Sequence, residues 1–137
     1  MTRRALVVAG TASGVGKTTV TLGLLEAYRR RGLTVQAFKV GPDFIDPGFH
    51  HLVTGRPSYN LDGWMCGRDW VQATVARHTA AADLALIEGV MGCFDGFDAT
   101  GEEGSTAQVA KWLGAPVALV LDASAQARSV AAVVQGF

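Results

Sequence analysis

Apolar and polar positions along the chain fall into short unbroken apolar runs separated by segments of helical period. Residues 6–9, 84–87 and 117–121 are continuous apolar runs, the mark of strands buried on both faces of a parallel sheet. Residues 35–40 read as a further strand. Between the first two, Val20, Leu24, Leu25 and Tyr28 recur at helical spacing from residue 17 to 31, and Gly32 closes the helix. Asp46-Pro47 predicts a second helix start, with Asp as cap and Pro at the first helical position. That helix ends near residues 54–57. Residues 58–68 carry turn chemistry and little period. Asp69 is placed to cap a helix reaching about residue 82 through Val71, Val75 and His78, Ser105 to cap another, and residues 125–134 predict a last one. Strands alternating with helices predict an α/β fold: a parallel sheet with flanking helices and right-handed crossovers.

Composition narrows the function classes. The 137 residues suffice for one domain, about half of them apolar and under a fifth charged. Twelve basic residues balance twelve acidic ones, so no nucleic-acid footprint emerges. The basic runs are Arg3-Arg4 and Arg29-Arg30-Arg31, and the second sits where cations complement a helix dipole. The apolar stretch after Met1-Thr2-Arg3-Arg4 is too short for a secretory signal, and no segment approaches the roughly 20 apolar residues of a membrane span. Cys66 and Cys93 lack zinc-like spacing. A cytoplasmic protein with reduced thiols is expected.

Candidate chemistry begins at Gly10-Thr11-Ala12-Ser13-Gly14-Val15-Gly16-Lys17-Thr18, between a buried strand and a helix. Glycines let the backbone curl so that N–H groups converge on phosphate oxygens, and the helix start adds positive charge. Lys17 is expected on the β- and γ-phosphates and the Thr18 hydroxyl on Mg²⁺. The spacing departs from G-x-x-x-x-G-K-T: five residues separate Gly10 from Gly16, and Thr11 stands where the first glycine would be. Glu88 ends the third strand, where open α/β sheets bind ligands. It can hold Mg²⁺ directly or through water, or stand solvated at a strand end. Lys39, Asp43 and Asp46 follow the second strand. They can neutralise phosphate, bind metal or orient substrate; equally, Asp43 is a turn residue after Pro42 and Asp46 a helix cap. Asp95, Asp98 and Asp122 read first as turn or capping residues. His50 and His51 are expected on the surface of the short helix, and Trp64, Met65 and Trp70 in packing.

Taken together, these segments resemble the N-terminal, ATP-dependent domain of the cobyrinate (or hydrogenobyrinate) a,c-diamide synthases, a family of the cobalamin pathway. The matching pieces are residues 10–19, Phe38-Lys39-Val40-Gly41-Pro42-Asp43-Phe44-Ile45-Asp46-Pro47, Thr54-Gly55-Arg56-Pro57-Ser58 and Asn60-Leu61-Asp62. They continue with Glu88-Gly89-Val90-Met91-Gly92, Phe94-Asp95-Gly96, Gly104-Ser105-Thr106-Ala107 and Ala127-Arg128-Ser129. The match runs nearly the whole length. The phosphate loop is similar to that of dethiobiotin synthetase, which also activates a carboxylate with ATP.

The resemblance implies a P-loop fold of the dethiobiotin synthetase type and a ligase. A corrinoid side-chain carboxylate attacks the γ-phosphate of ATP, and glutamine-derived ammonia displaces phosphate to leave an amide, at the c and then the a position. It implies ATP contacts from Thr11, Ala12, Ser13, Gly14, Val15, Gly16, Lys17, Thr18 and Thr19. Lys17 and Lys39 would act on the phosphoryl group, Thr18, Asp46 and Glu88 on Mg²⁺, and Asp43 and Asp95 on substrate or ammonia. Family members continue into the rest of the ligase domain and a class I glutamine amidotransferase domain. Residues 1–137 are therefore expected to be an incomplete N-terminal ligase domain without that partner. A sheet cut short exposes an apolar edge, which a homodimer or strand exchange would cover. Two further readings stand beside this one. A switch ATPase of the partitioning type shares the loop class, but has a lysine where Ala12 stands; a dethiobiotin synthetase-like ligase shares the loop spacing.

Overall fold

A computed structural model describes residues 4–137. Met1, Thr2 and Arg3 of the signal-like start lie outside the described residues, and its apolar stretch is the first strand. Five parallel strands form one sheet in the order β3-β2-β4-β1-β5. They are β1 (Ala5–Gly10), β2 (Val35–Val40), β3 (Tyr59–Leu61), β4 (Leu84–Glu88) and β5 (Val117–Val120). The helices are α1 (Lys17–Arg30), α2 (Asp46–Thr54), α3 (Gly63–Thr79), α4 (Thr106–Leu113) and α5 (Val130–Gly136). The α/β expectation and the four apolar strands are borne out.

Side chains alternate between the two faces of a strand, and this parity divides the core in two. Val7, Phe38, Val40, Ala85 and Ile87 point to one face, where Val71 and Val75 of α3 and Val109, Ala110 and Leu113 of α4 cover them. Val8, Val35, Ala37 and Leu86 point to the other, against Leu22, Leu25 and Tyr28 of α1 and Val53 of α2. Three elements depart from the sequence-based expectation. Residues 59–61, expected in a turn, form the edge strand β3, pairing Phe38 with Tyr59 and Val40 with Leu61; three residues are too few to show a period. The third helix starts at Gly63, and Asp62 rather than Asp69 caps it, accepting from the Trp64 and Met65 amides at 3.0 Å each. A break at Gly67 (φ 76°) separates that first turn from the periodic segment. The last helix begins at Val130, because residues 122–126 turn instead: Asp122 accepts from the Ser124 amide, and Gln126 donates to the Ala123 carbonyl. Ser105 caps α4 as expected, through the Gln108 amide.

Asp62 is largely buried, and its two capping bonds join β3 to α3. Asp62→Ala should cost about 1 kcal/mol, the usual worth of an N-cap, measured by urea unfolding. An unchanged midpoint would mean that the β3–α3 corner holds without the cap.

Candidate functional site

The same parity builds the site. Lys39 lies two residues beyond Ala37, and Glu88 two beyond Leu86, so both side chains leave the sheet on the face covered by α1 and α2. The register sets them side by side, Lys39 opposite Glu88. Thr18 enters from the first turn of α1, and Asp46 and His50 from α2. The result is a cluster at the carboxyl end of the strands. Thr18 Oγ1 donates to Glu88 Oε1 at 2.5 Å, and Lys39 Nζ donates to the same oxygen at 3.2 Å. Lys39 also reaches Asp46 Oδ2 at 2.6 Å and the Gly89 carbonyl at 2.9 Å. His50 Nε2 lies 2.6 Å from Glu88 Oε2, and His50 Nδ1 lies 3.0 Å from Ser58 Oγ. Glu88 and His50 are fully buried, and Lys39 nearly so.

The phosphate-type loop sits against this cluster. Gly14 (φ 77°) and Gly16 (φ 109°) occupy left-handed conformations that favour glycine. A Cβ on Gly10 would lie 2.8 Å from Val15 and 3.0 Å from the Ala12 carbonyl, so the tight curl requires glycine there too. Among the described residues no side chain caps α1, so its first-turn N–H groups, which have no intrahelical acceptors, stay open to a ligand. The Thr11 amide, by contrast, is committed to the Val120 carbonyl at 3.0 Å; its hydroxyl, not its N–H, is what Thr11 can offer a ligand. Lys17 Nζ rests on the Ala12 carbonyl at 2.9 Å. Burial, and after it the neighbouring Lys39 ammonium, lowers the Lys17 pKa from its ordinary value.

A cleft of about 430 Å³ joins these parts, with Ser13, Lys17, Thr18, Lys39, Asp46 and Glu88 in its wall. Gly14, Gly16, Thr19 and Asp43 line it as well. Of the residues expected to act, Asp95 is not in the cleft wall. Its carboxylate accepts from the Gly92 amide at 2.8 Å in the loop after β4, and its charge acts on Lys17 less than those of Glu88 and Asp46 do. Asp46 is the first residue of α2 and not its cap, and Asp43 closes the turn before it, accepting from the Ile45 and Asp46 amides at 2.7 and 2.9 Å. That leaves the Asp46 carboxylate free to face Lys39. Asp98 accepts from the Thr100 and Gly101 amides and is a turn residue, as expected. Trp64, Met65 and Trp70, expected in packing, are about half exposed or more, and Trp64 stacks on Phe97 at 4.5 Å.

His50 is the residue the sequence reading misplaced. Expected on the surface, it is fully buried and bonded to Glu88, whereas its neighbour His51 is exposed. The available signal was its spacing: four residues after Asp46, it shares a helix face with a carboxylate already under suspicion.

The donor set fits Mg²⁺. Among the described residues no three His, Cys, Asp or Glu side chains form a protein-only metal cage. Mg²⁺ asks for less: one or two carboxylates, with water and phosphate oxygens completing the shell. Thr18, Asp46 and Glu88 supply such oxygens. The Lys39 ammonium, bridging Asp46 and Glu88, marks the place as one that holds a cation. Together with the loop amides and Lys17, the cleft can receive a polyanion and neutralise it.

Burial on its own would raise the Glu88 pKa, but hydrogen bonds from His50 and Thr18 and the Lys39 charge outweigh it, holding the carboxyl below its ordinary value. A carboxyl depressed in the native state stabilises the fold above the unfolded pKa of about 4.3, and that contribution vanishes as pH falls through the native value. The difference in unfolding free energy between wild type and Glu88→Gln, followed in urea at stepped pH, should be widest near neutrality and shrink below pH of about 4. A difference independent of pH would show that the charge contributes nothing.

Comparison with known proteins agrees with this geometry. The family profile described as CobQ/CobB/MinD/ParA nucleotide binding domain matches residues 6–137. The chain is 59% identical over 132 residues to the cobyrinate a,c-diamide synthase of Syntrophotalea carbinolica, covering 96% of this chain and 29% of that protein. It is 55% identical over 132 residues to the hydrogenobyrinate a,c-diamide synthase of Streptomyces coelicolor, covering 96% and 27%. With the cobyrinate a,c-diamide synthase of Priestia megaterium it shares 50% over 137 residues, covering 100% and 30%. The chain thus spans less than a third of the length of these relatives.

Proposed function

Because this chain belongs to the CobQ/CobB/MinD/ParA nucleotide binding domain family, we propose that it is the nucleotide-handling part of an ATP-dependent carbon–nitrogen ligase. Its substrates are the a and c carboxylates of cobyrinate or hydrogenobyrinate, in cobalamin biosynthesis. The observation that carries the proposal is the meeting of Lys17, Lys39, Asp46 and Glu88 in one cleft beside an uncapped helix start. Relatives named for a,c-diamide synthesis, at half identity or more over nearly the whole chain, supply the substrate class.

A carboxylate becomes an electrophile only when one of its oxygens is made a good leaving group. A substrate carboxylate oxygen attacks the γ-phosphorus, and the bond from that phosphorus to the β,γ-bridging oxygen breaks, leaving ADP. Ammonia then adds to the acyl carbon of the acyl phosphate, phosphate departs with the original carboxyl oxygen, and an amide remains. For such a transfer the protein chiefly positions and neutralises. The loop amides and the α1 dipole hold the phosphate chain, and Lys17 leaves the Ala12 carbonyl for the β- and γ-oxygens. Lys39, buried beside the cleft, stabilises the transferring phosphoryl group. Thr18, Asp46 and Glu88 would hold Mg²⁺, which would supply neutralising charge for the phosphates. Asp43 orients the substrate or ammonia from the head of α2, and Asp95 from the loop after β4. Ammonia comes from glutamine by way of a class I amidotransferase domain, for which the greater length of the relatives leaves room. The same cleft would serve a partitioning-type switch ATPase; Ala12, standing where such proteins carry a lysine, favours the ligase.

The decisive experiment uses the full-length protein with Mg²⁺, ATP, ammonium and cobyrinate whose carboxylates carry a heavy-oxygen label. Label should appear in the released phosphate, and mass spectrometry should find one and then two amides. Lys17→Ala should cut amidation at least 100-fold while circular dichroism stays native. ATP turnover indifferent to the corrinoid, or phosphate without label, would overturn the ligase reading.

A further inference from the structure

Resting on that reading, we infer that His50 is a positioning residue: by holding one oxygen of Glu88 it aims the other at the metal and phosphate end of the cleft. The two carboxylate oxygens have separate partners. Oε1 takes Thr18 and Lys39, and Oε2 takes His50. A carboxylate oxygen has no hydrogen to give, so Nε2 carries the proton and donates. The terminal torsion of a glutamate is broad and roughly two-fold, which means packing alone does not set the plane of the group. A short hydrogen bond at 2.6 Å does. The ring in turn is fixed by Ser58 Oγ on Nδ1 at 3.0 Å.

The placement ties this contact to the rest of the cleft. His50 stands one helical turn after Asp46 on α2, so a single helix face presents Asp46 to Lys39 and His50 to Glu88. Ser58 lies just before β3, so the bond chain Glu88–His50–Ser58 runs from the central strand β4 through α2 towards the sheet edge. A histidine serving only to fill the core needs neither contact, and leucine would occupy the space while leaving Oε2 unpartnered. Partners behind a metal-binding carboxylate typically change metal affinity by about 10- to 100-fold when lost.

The test compares His50→Leu, which fills the space, with His50→Gln, which can return a donor to Oε2. Mn²⁺ is titrated into the full-length protein by electron paramagnetic resonance, alone and with ATPγS, and ATPγS binding is measured separately in chelator. His50→Leu should weaken Mn²⁺ about 10-fold or more without changing ATPγS affinity in chelator, and His50→Gln should recover it to within about 3-fold. Equal loss in both variants, wild-type Mn²⁺ affinity in folded His50→Leu, or ATPγS affinity falling in step would overturn the role. Should His50→Leu fail to fold, ring-nitrogen NMR of the metal-free wild type decides: a proton on Nε2 whose resonance shifts in Glu88→Gln supports the inference, and an unprotonated Nε2 overturns it. A wild type that takes up no ATPγS would sink the proposed function instead, and the Mn²⁺-only titrations of the two variants would still judge His50.

Discussion

A carboxylate with no exposure to water is the constraint around which this domain is arranged. Taking Glu88 out of solvent costs several kcal/mol unless charge and hydrogen bonds compensate. The compensation comes from a hydroxyl on α1, an imidazole on α2 and an ammonium on β2. Each donor belongs to a different element, so the carboxylate is satisfied only when the strands are in register and both helices lie on the same face. The group that gains most from correct assembly is also the one best placed to meet a metal. Folding and site formation are therefore largely the same event.

The two lysines of the cleft show how charge is stored before a ligand arrives. Lys39 faces two carboxylates and a carbonyl, a fully subscribed position. Among the described residues Lys17 has only the Ala12 carbonyl for a direct partner, and it feels Lys39 as a repulsion. Of the pair, Lys17 has the most to gain from an incoming anion. The asymmetry follows from position: Lys39 projects from a strand end into a nest of oxygens, whereas Lys17 opens a helix whose own dipole is already positive.

Much of this was legible in the sequence, for identifiable reasons. Unbroken apolar runs mark buried strands, and glycines around Lys17 mark a backbone that must curl; neither signal depends on distant contacts. Lys39, Asp46 and Glu88 could be suspected because strand ends are known positions in this class of sheet. What stayed hidden required the third dimension. The strand at residues 59–61 is too short to show a period and exists because β2 offers an open edge. Asp43 kept its turn, whereas Asp46 fell inside the helix instead of capping it, because only the path of the turn decides where the helix begins. His50 looked ordinary since its partner, Glu88, is remote in sequence and meets it only through α2. Asp95 was singled out by resemblance alone, because the loop that carries it shows no period; its carboxylate takes the Gly92 amide at the border of the cleft.

The division of the strands into two faces has a consequence for how such a chain tolerates change in length. Loops here can lengthen or shorten at modest entropic cost. Removing one residue within β2 before Lys39, or within β4 before Glu88, is a different matter, because a slip of one position turns every later side chain to the opposite face. Lys39 or Glu88 would then project towards α3 and α4, into the apolar layer of Val71, Val75 and Val109. A single lost codon would plant an ion in oil and empty the cleft together, whereas several codons gained in the segment after β4 need do neither.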